Sequence, residues 1–143
     1  FALPYDISQT GFTKEFVGSR ALRDISNADY TYPFIGYDLR KVSLSDKTEV
    51  MDKNRGPVGT VLTCVSDMGI GRTGEQIYSI ASPNKPKGFT PRGLSCGFVK
   101  VNRKLASGDV IELRDKRRAI KVAITGNIRP ARTARIPIQK MIQ

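Results

Sequence analysis

Val58-Gly59-Thr60-Val61-Leu62-Thr63-Cys64-Val65 is dense in β-branched side chains, which pack well on a pleated sheet and lose rotamer freedom in a helix. This stretch therefore reads as a strand, and its neighbours repeat the pattern. Downstream, Leu94 to Val101, Asp109 to Arg114 and Ala119 to Thr125 are further short strands, separated by Gly, Pro, Asn and Asp. Asp115-Lys116-Arg117 parts the last two by few enough residues for a hairpin, and Ser107-Gly108-Asp109 is a turn signal before Val110. Glu75 to Ala81 is a weaker strand. Upstream, Tyr30-Thr31-Tyr32-Pro33 reads as a turn-like entry to a half-buried strand over Phe34 to Val42, where Ile35, Tyr37 and Leu39 alternate with Asp38 and Arg40. The helix-like stretch is Phe16 to Ile25, with Ala21, Leu22 and Ile25 at helical spacing and Gly18 or Ser19 as its cap. Strands recurring this often with so little helix predict a mainly β fold, an antiparallel barrel or sandwich behind a short helical segment.

A chain of 143 residues is one domain's length and buries enough surface to fold without a disulfide or metal staple. No apolar run approaches the roughly 20 residues that span a bilayer, and no charged n-region followed by an apolar h-region suggests a signal peptide. The expectation is a protein without a membrane partner. Cys64 and Cys96 lie too far apart for a redox pair or half a zinc site, which suggests a reduced, cytoplasmic chain with both thiols packed in the core. The absence of His excludes imidazole-activated nucleophiles, His-ligated zinc and His proton shuttles. The carboxylates are scattered among basic neighbours, and no pair of them points to general acid/base work.

The net charge is +11, and most of it falls after Lys100, in Lys116-Arg117-Arg118, Lys121, Arg129, Arg132, Arg135 and Lys140. Such a cluster attracts anions over roughly 8 to 10 Å. Residues 100–143 contain no Phe, Tyr or Trp, whereas a single-strand nucleic-acid platform interleaves aromatic rings for base stacking. The composition thus argues against nucleic acid as the partner, and a basic β-barrel module that binds nucleic acid or an acidic partner protein stays as the alternative function. Gly69-Ile70-Gly71-Arg72-Thr73-Gly74 fits G-x-G-x-x-G. A dinucleotide loop, however, needs a helix after it and an acidic residue about 20 positions on. Strand-like Glu75 to Ile80 follows instead, so the motif reads as a glycine-rich hairpin turn.

Seven segments, in order over residues 14 to 138, resemble one family. Glu15 to Leu22 is similar to its "DFIGKEAL", Phe34 to Leu39 to "LVGFEL", Pro57 to Cys64 to "VGEVTSG", Pro91 to Val99 to "GKNIALGYV", and Leu105 to Leu113 to "AKPGTELEVEI". Arg117 to Val122 and Arg135 to Ile138 resemble its closing "GKRVPAKVV" and "PF". The family is the folate-dependent aminomethyltransferases, the T-protein of the glycine cleavage system and its relatives. Between Cys64 and Arg92 this chain is longer than the family, and two segments compete for its "SP" turn.

The resemblance implies a carboxy-terminal, Greek-key or jelly-roll-like antiparallel β-barrel over residues 34–143. Residues 1–33 would be the helical lead-in from folate-binding domains earlier in the same polypeptide. The family's catalytic Asp and main tetrahydrofolate contacts belong to those domains, so no catalytic residue is expected here. A chain that starts at Phe1 rather than Met fits a cut-out accessory domain, inactive alone and holding tetrahydrofolate only weakly. Arg92, at the family's basic position, and Arg72, in the glycine-rich loop, are the expected contacts for the anionic tail of folate. An acidic carrier protein is a further expected partner.

Overall fold

A computed structural model of the chain describes residues 7–8, 11–12, 16–23, 29–45 and 47–129. Its elements are β1 (Ile7–Ser8), β2 (Gly11–Phe12), α1 (Ser19–Arg23), β3 (Tyr30–Gly36), β4 (Glu49–Asp52), β5 (Gly56–Asp67), β6 (Ile70–Thr73), β7 (Gln76–Ser79), β8 (Leu94–Val101), β9 (Val110–Arg114) and β10 (Ala119–Ile124). Six of them close into an antiparallel barrel in the order β10-β3-β8-β5-β4-β9. The fold is mainly β, and the barrel replaces the sandwich alternative. Strands β4, β5 and β8 follow one another as neighbours, while β3 reaches the far side of β8 by the long 37–48 connection, a Greek-key path. Ladder shifts between Val50 and Met51 and between Val61 and Thr63 act as bulges, which add the local bend that closure requires.

The first barrel strand differs from its sequence reading. It runs from Tyr30 to Gly36, not from Phe34 to Val42, so Tyr37 and Leu39 lie beyond its end. Pro33 made the preceding residues look like a turn. In β3 it sits where the pairing with β10 ends: Thr125 donates its N–H to the Pro33 carbonyl at 3.0 Å. The reciprocal bond, which proline cannot donate, falls at the terminus of that ladder and interrupts nothing. Helix α1 starts at Ser19, later than the Phe16 of its reading, and is described as far as Arg23; Asp24 and Ile25 lie outside the described residues.

The barrel interior is filled by Phe34, Val50, Val99, Leu113 and Val122, all fully buried. A second cluster, Ile35, Ile70, Leu94 and Cys96, packs with Ile77 and Ile128. Of these, Ile35 and Cys96 are cross-strand partners on β3 and β8, and Ile70 and Ile77 come from the separate β6–β7 hairpin. This hairpin therefore covers part of the outer barrel face. Its cover explains why Leu94, Ser95, Cys96 and Gly97 are buried in succession rather than alternately.

Cys64 belongs to the first cluster and Cys96 to the second, and both are free thiols. They sit on adjacent strands but on opposite faces of the sheet, which places their sulfurs on either side of the wall. Burial pushes both thiols up; for Cys96 the nearby Asp67 carboxylate adds to the effect. Thiols held protonated by folding contribute stability that is intact at neutral pH. That stability is lost as pH rises past the ordinary thiol value of about 8.5, because the unfolded chain then releases protons the native state retains. Native protein is expected to react with a thiol-specific chromogenic disulfide far more slowly than urea-unfolded protein at pH 8. Equal rates in the native and the unfolded protein would contradict this burial.

Candidate functional site

The antiparallel order brings the 37–48, 68–93 and 115–118 connections to the same end of the barrel. Arg40, Lys41, Arg72, Arg92, Lys116, Arg117 and Arg118 gather there from distant parts of the chain. The basic end is thus a product of topology as much as of the basic carboxy-terminal third. Arg132, Arg135 and Lys140 lie outside the described residues.

An open cleft of about 670 Å³ at this end is lined by Tyr37, Asp38, Leu39, Arg40, Arg72, Gly74, Arg92, Gly93 and Leu94. It brings together both arginines expected from the sequence. Arg72 is carried on β6, where its guanidinium lies 4.4 Å from the centre of the Tyr37 ring, a cation–π contact, and its Nη2 donates to the Gly36 carbonyl at 3.4 Å. Its Nε is buried and has no hydrogen-bond partner, so the side chain holds an uncommitted donor. Arg92 is exposed, and no acidic partner reaches it among the described residues.

Local backbone geometry sets the position of Arg92. A Cβ at Gly71 would come within 3.2 Å of the Phe89 ring and of Pro91 Cα, and within 3.3 Å of the Arg92 nitrogen. The bare glycine lets the 89–92 segment lie directly on β6. Gly93 follows at φ +78°, and its N–H donates to the Ile70 carbonyl at 3.0 Å. The glycines of the G-x-G-x-x-G string therefore serve a β-hairpin and its close packing: residues 70–73 and 76–79 are paired strands, and no helix follows them among the described residues.

Asp38 and Arg40 form the other wall. Arg40 donates from Nε to Asp38 Oδ2 at 2.9 Å and from its backbone N–H to Oδ1 at 2.8 Å, and Nη2 pairs with Oδ2 at 2.8 Å. The side-chain hydrogen bond from Arg40 holds the Asp38 carboxyl below its usual range, and Arg40 is raised by the same contact. Asp38 is thereby spent, leaving the cleft with the two positive charges of Arg72 and Arg92. Tyr37, Asp38 and Arg40 also border a second cleft, of about 580 Å³, with Val110, Glu112, Ala119 and Lys121. By its alternation Tyr37 belongs to a strand face. Nothing in its spacing separated a residue just past a strand from one inside it.

A smaller hollow of about 280 Å³ lies between Ser43, Ser45, Asp115, Lys116 and Arg117. Asp115 organises it by accepting backbone N–H groups from Ser43, Arg117 and Arg118, each at 2.7 Å. The Ser43 bond is the largest influence holding this carboxyl below its ordinary range. A depressed carboxyl contributes stability that is present above the unfolded value of about 3.9 and is lost as pH falls through the lower native value. Asp115→Ala is expected to speed hydrogen exchange of the Ser43, Arg117 and Arg118 amides at neutral pH. Unchanged protection would mean that these bonds do not hold the loop.

Among the described residues no group of three or more His, Cys, Asp or Glu is placed to hold a metal, and no helix is long and apolar enough to cross a membrane. The raised thiols of Cys64 and Cys96 are the reverse of what a thiolate nucleophile requires. What the site offers chemically is recognition of anions beside an aromatic ring. Comparison of the chain with protein-family models, with curated proteins and with solved structures gave no match.

Proposed function

We propose that the chain is the carboxy-terminal β-barrel of a folate-dependent aminomethyltransferase-like protein, helping to close a tetrahydrofolate and one-carbon donor site. The reading rests on the ordered sequence resemblance. The observation that supports it most is the meeting of Arg72 and Arg92 in one cleft, two cations suited to a carboxylate such as the tail of folate. In this reading the amino-terminal domains of the parent supply the catalytic groups. The barrel supplies closure and orientation, which contribute to a rate through positioning.

Titration of the purified chain with p-aminobenzoyl-glutamate, the anionic arm of folate, tests the site. Amide NMR shifts are expected at residues 37–40, 72 and 92–94. The combined Arg72→Gln and Arg92→Gln variant is expected to bind at least about 10-fold more weakly, the scale of one lost charge-assisted hydrogen bond. Absence of shifts would remove the folate-tail role. Folate-dependent one-carbon transfer by the 143-residue chain alone would overturn the accessory-domain reading.

A further inference from the structure

We infer that the two clefts flanking Tyr37 form one groove for a single-stranded polynucleotide, with phosphates against Arg72, Arg92 and Lys121 and a base stacked at Tyr37. The inference does not depend on the folate reading. It starts from Tyr37, which is 42% exposed and lines both clefts. On one side lie Arg72 and Arg92, and on the other Lys121.

The acids of the groove are already neutralised. Asp38 is held by Arg40, and Glu112 by Arg114 at 2.7 Å. Neither Arg92 nor Lys121 has an acidic partner among the described residues, and Arg72 contacts the Gly36 carbonyl and the Tyr37 ring rather than an acid. The order along the groove is therefore cations, aromatic ring, cation. A polynucleotide strand repeats the complementary order of phosphate, base and phosphate, and sequence-tolerant single-strand binders combine a basic track with such a stacking ring. A small monoanion would use only one cleft, and an acidic protein surface would leave the ring without a planar partner. The aromatic residue that the basic carboxy-terminal third lacks is thus contributed by the loop after β3. The remaining cations of this end, on the 115–118 loop, extend the field that attracts the backbone.

Fluorescence anisotropy of labelled decathymidylate and decauridylate with the full 143-residue chain tests the groove. Both strands are expected to bind at 50 mM salt. With about three phosphate contacts, affinity should fall roughly 20-fold between 50 and 200 mM, following the single-strand slope of about −0.7 per contact. Tyr37→Leu is expected to weaken binding about 5- to 150-fold, the range for one stacked base, whereas Tyr37→Phe, which keeps the ring, should bind nearly as the parent. Lys121→Gln, on the barrel surface, should lower the salt slope by about 0.7, and Lys53→Gln at the opposite end should leave it unchanged. Unaltered thermal midpoints keep these variants comparable. Failure of both strands to bind at 50 mM salt would overturn the inference. So would a loss for Tyr37→Leu that is equally large with inorganic polyphosphate, which has no base to stack. Neither result bears on p-aminobenzoyl-glutamate binding, so the two readings fail separately.

Discussion

Gly97→Ala is expected to destabilise the barrel by about 3 to 5 kcal/mol, among the larger effects a single methyl group produces. Gly97 lies in β8, between Phe34 on β3 and Cys64 on β5. A Cβ there would run into the carbonyl oxygen of Thr63, and would lie 2.7 Å from its carbonyl carbon and 3.0 Å from Phe34 Cζ. The obstacle is mainly backbone. Thr63 is fixed at the bulge by its ladder position and by its side-chain oxygen, which accepts the Phe98 N–H at 3.1 Å. It has no flexible end that could swing away. Against a total stability on the order of 5 to 15 kcal/mol, the change should lower Tm by roughly 10 to 20 °C. Urea unfolding followed by circular dichroism would measure it. A midpoint within error of the parent would mean that β5 and β8 do not approach so closely at the bulge.

Phe34→Ala should cost a similar amount, about 3 to 5 kcal/mol, for the opposite reason. The ring is wholly buried in the interior cluster, directly across the ladder from Gly97. Its loss leaves a void that the closed ladders on either side resist filling. Because the ring reaches towards the missing Cβ of Gly97, the two substitutions should not be additive. Removing the ring relieves one of the two obstacles to alanine at 97 and leaves the Thr63 carbonyl in place. A coupling energy in the range of about 0.5 to 3 kcal/mol is expected from the double-mutant cycle. Strict additivity would place the ring away from Gly97.

The strands most legible in the sequence were those whose own residues carry the signal. Leu94–Val101 has the bounds read for it, β9 and β10 each differ from their readings by one residue at one end, and β5 extends two residues beyond its reading at both ends. In each, β-branched residues recur and a turn follows. The hairpin at Asp115 was legible because so few residues part its two strands; within that turn Asp115 accepts the Arg117 and Arg118 N–H groups, whereas its bond from Ser43 comes from a distant loop that no local window shows. Less legible were elements defined by partners. β4 is four residues long, Glu49–Asp52, and looks polar until its pairing with β5 and β9 is known. β3 was displaced because alternation continues past Gly36 into Tyr37 and Leu39, although the ladder to β8 lies within Tyr30 to Ile35.

The site divides in the same way. Arg92 was singled out by resemblance and Arg72 by a glycine-rich string, and both reach one cleft. Tyr37 and Arg40 were not read as site residues, and Lys121 was read only as part of the basic cluster, since their meeting depends on which loops and strand ends share a barrel end. That is a property of strand order, which no local window contains. The placement of aromatic rings has no local signal either: residues 100–143 contain no Phe, Tyr or Trp, yet the fold brings Tyr37 to the same cleft as Lys121.

Closure of the six ladders has a consequence for how this protein can meet another chain. An open sheet presents a row of free backbone donors and acceptors, and a partner can attach by adding its own strand. The barrel of β3, β4, β5, β8, β9 and β10 has no such row. Recognition on the barrel is therefore confined to side chains and loop backbone. The three connections at the charged end can change in length and composition while the ladders that hold the molecule together stay shut, so specificity there is free to drift without endangering the fold.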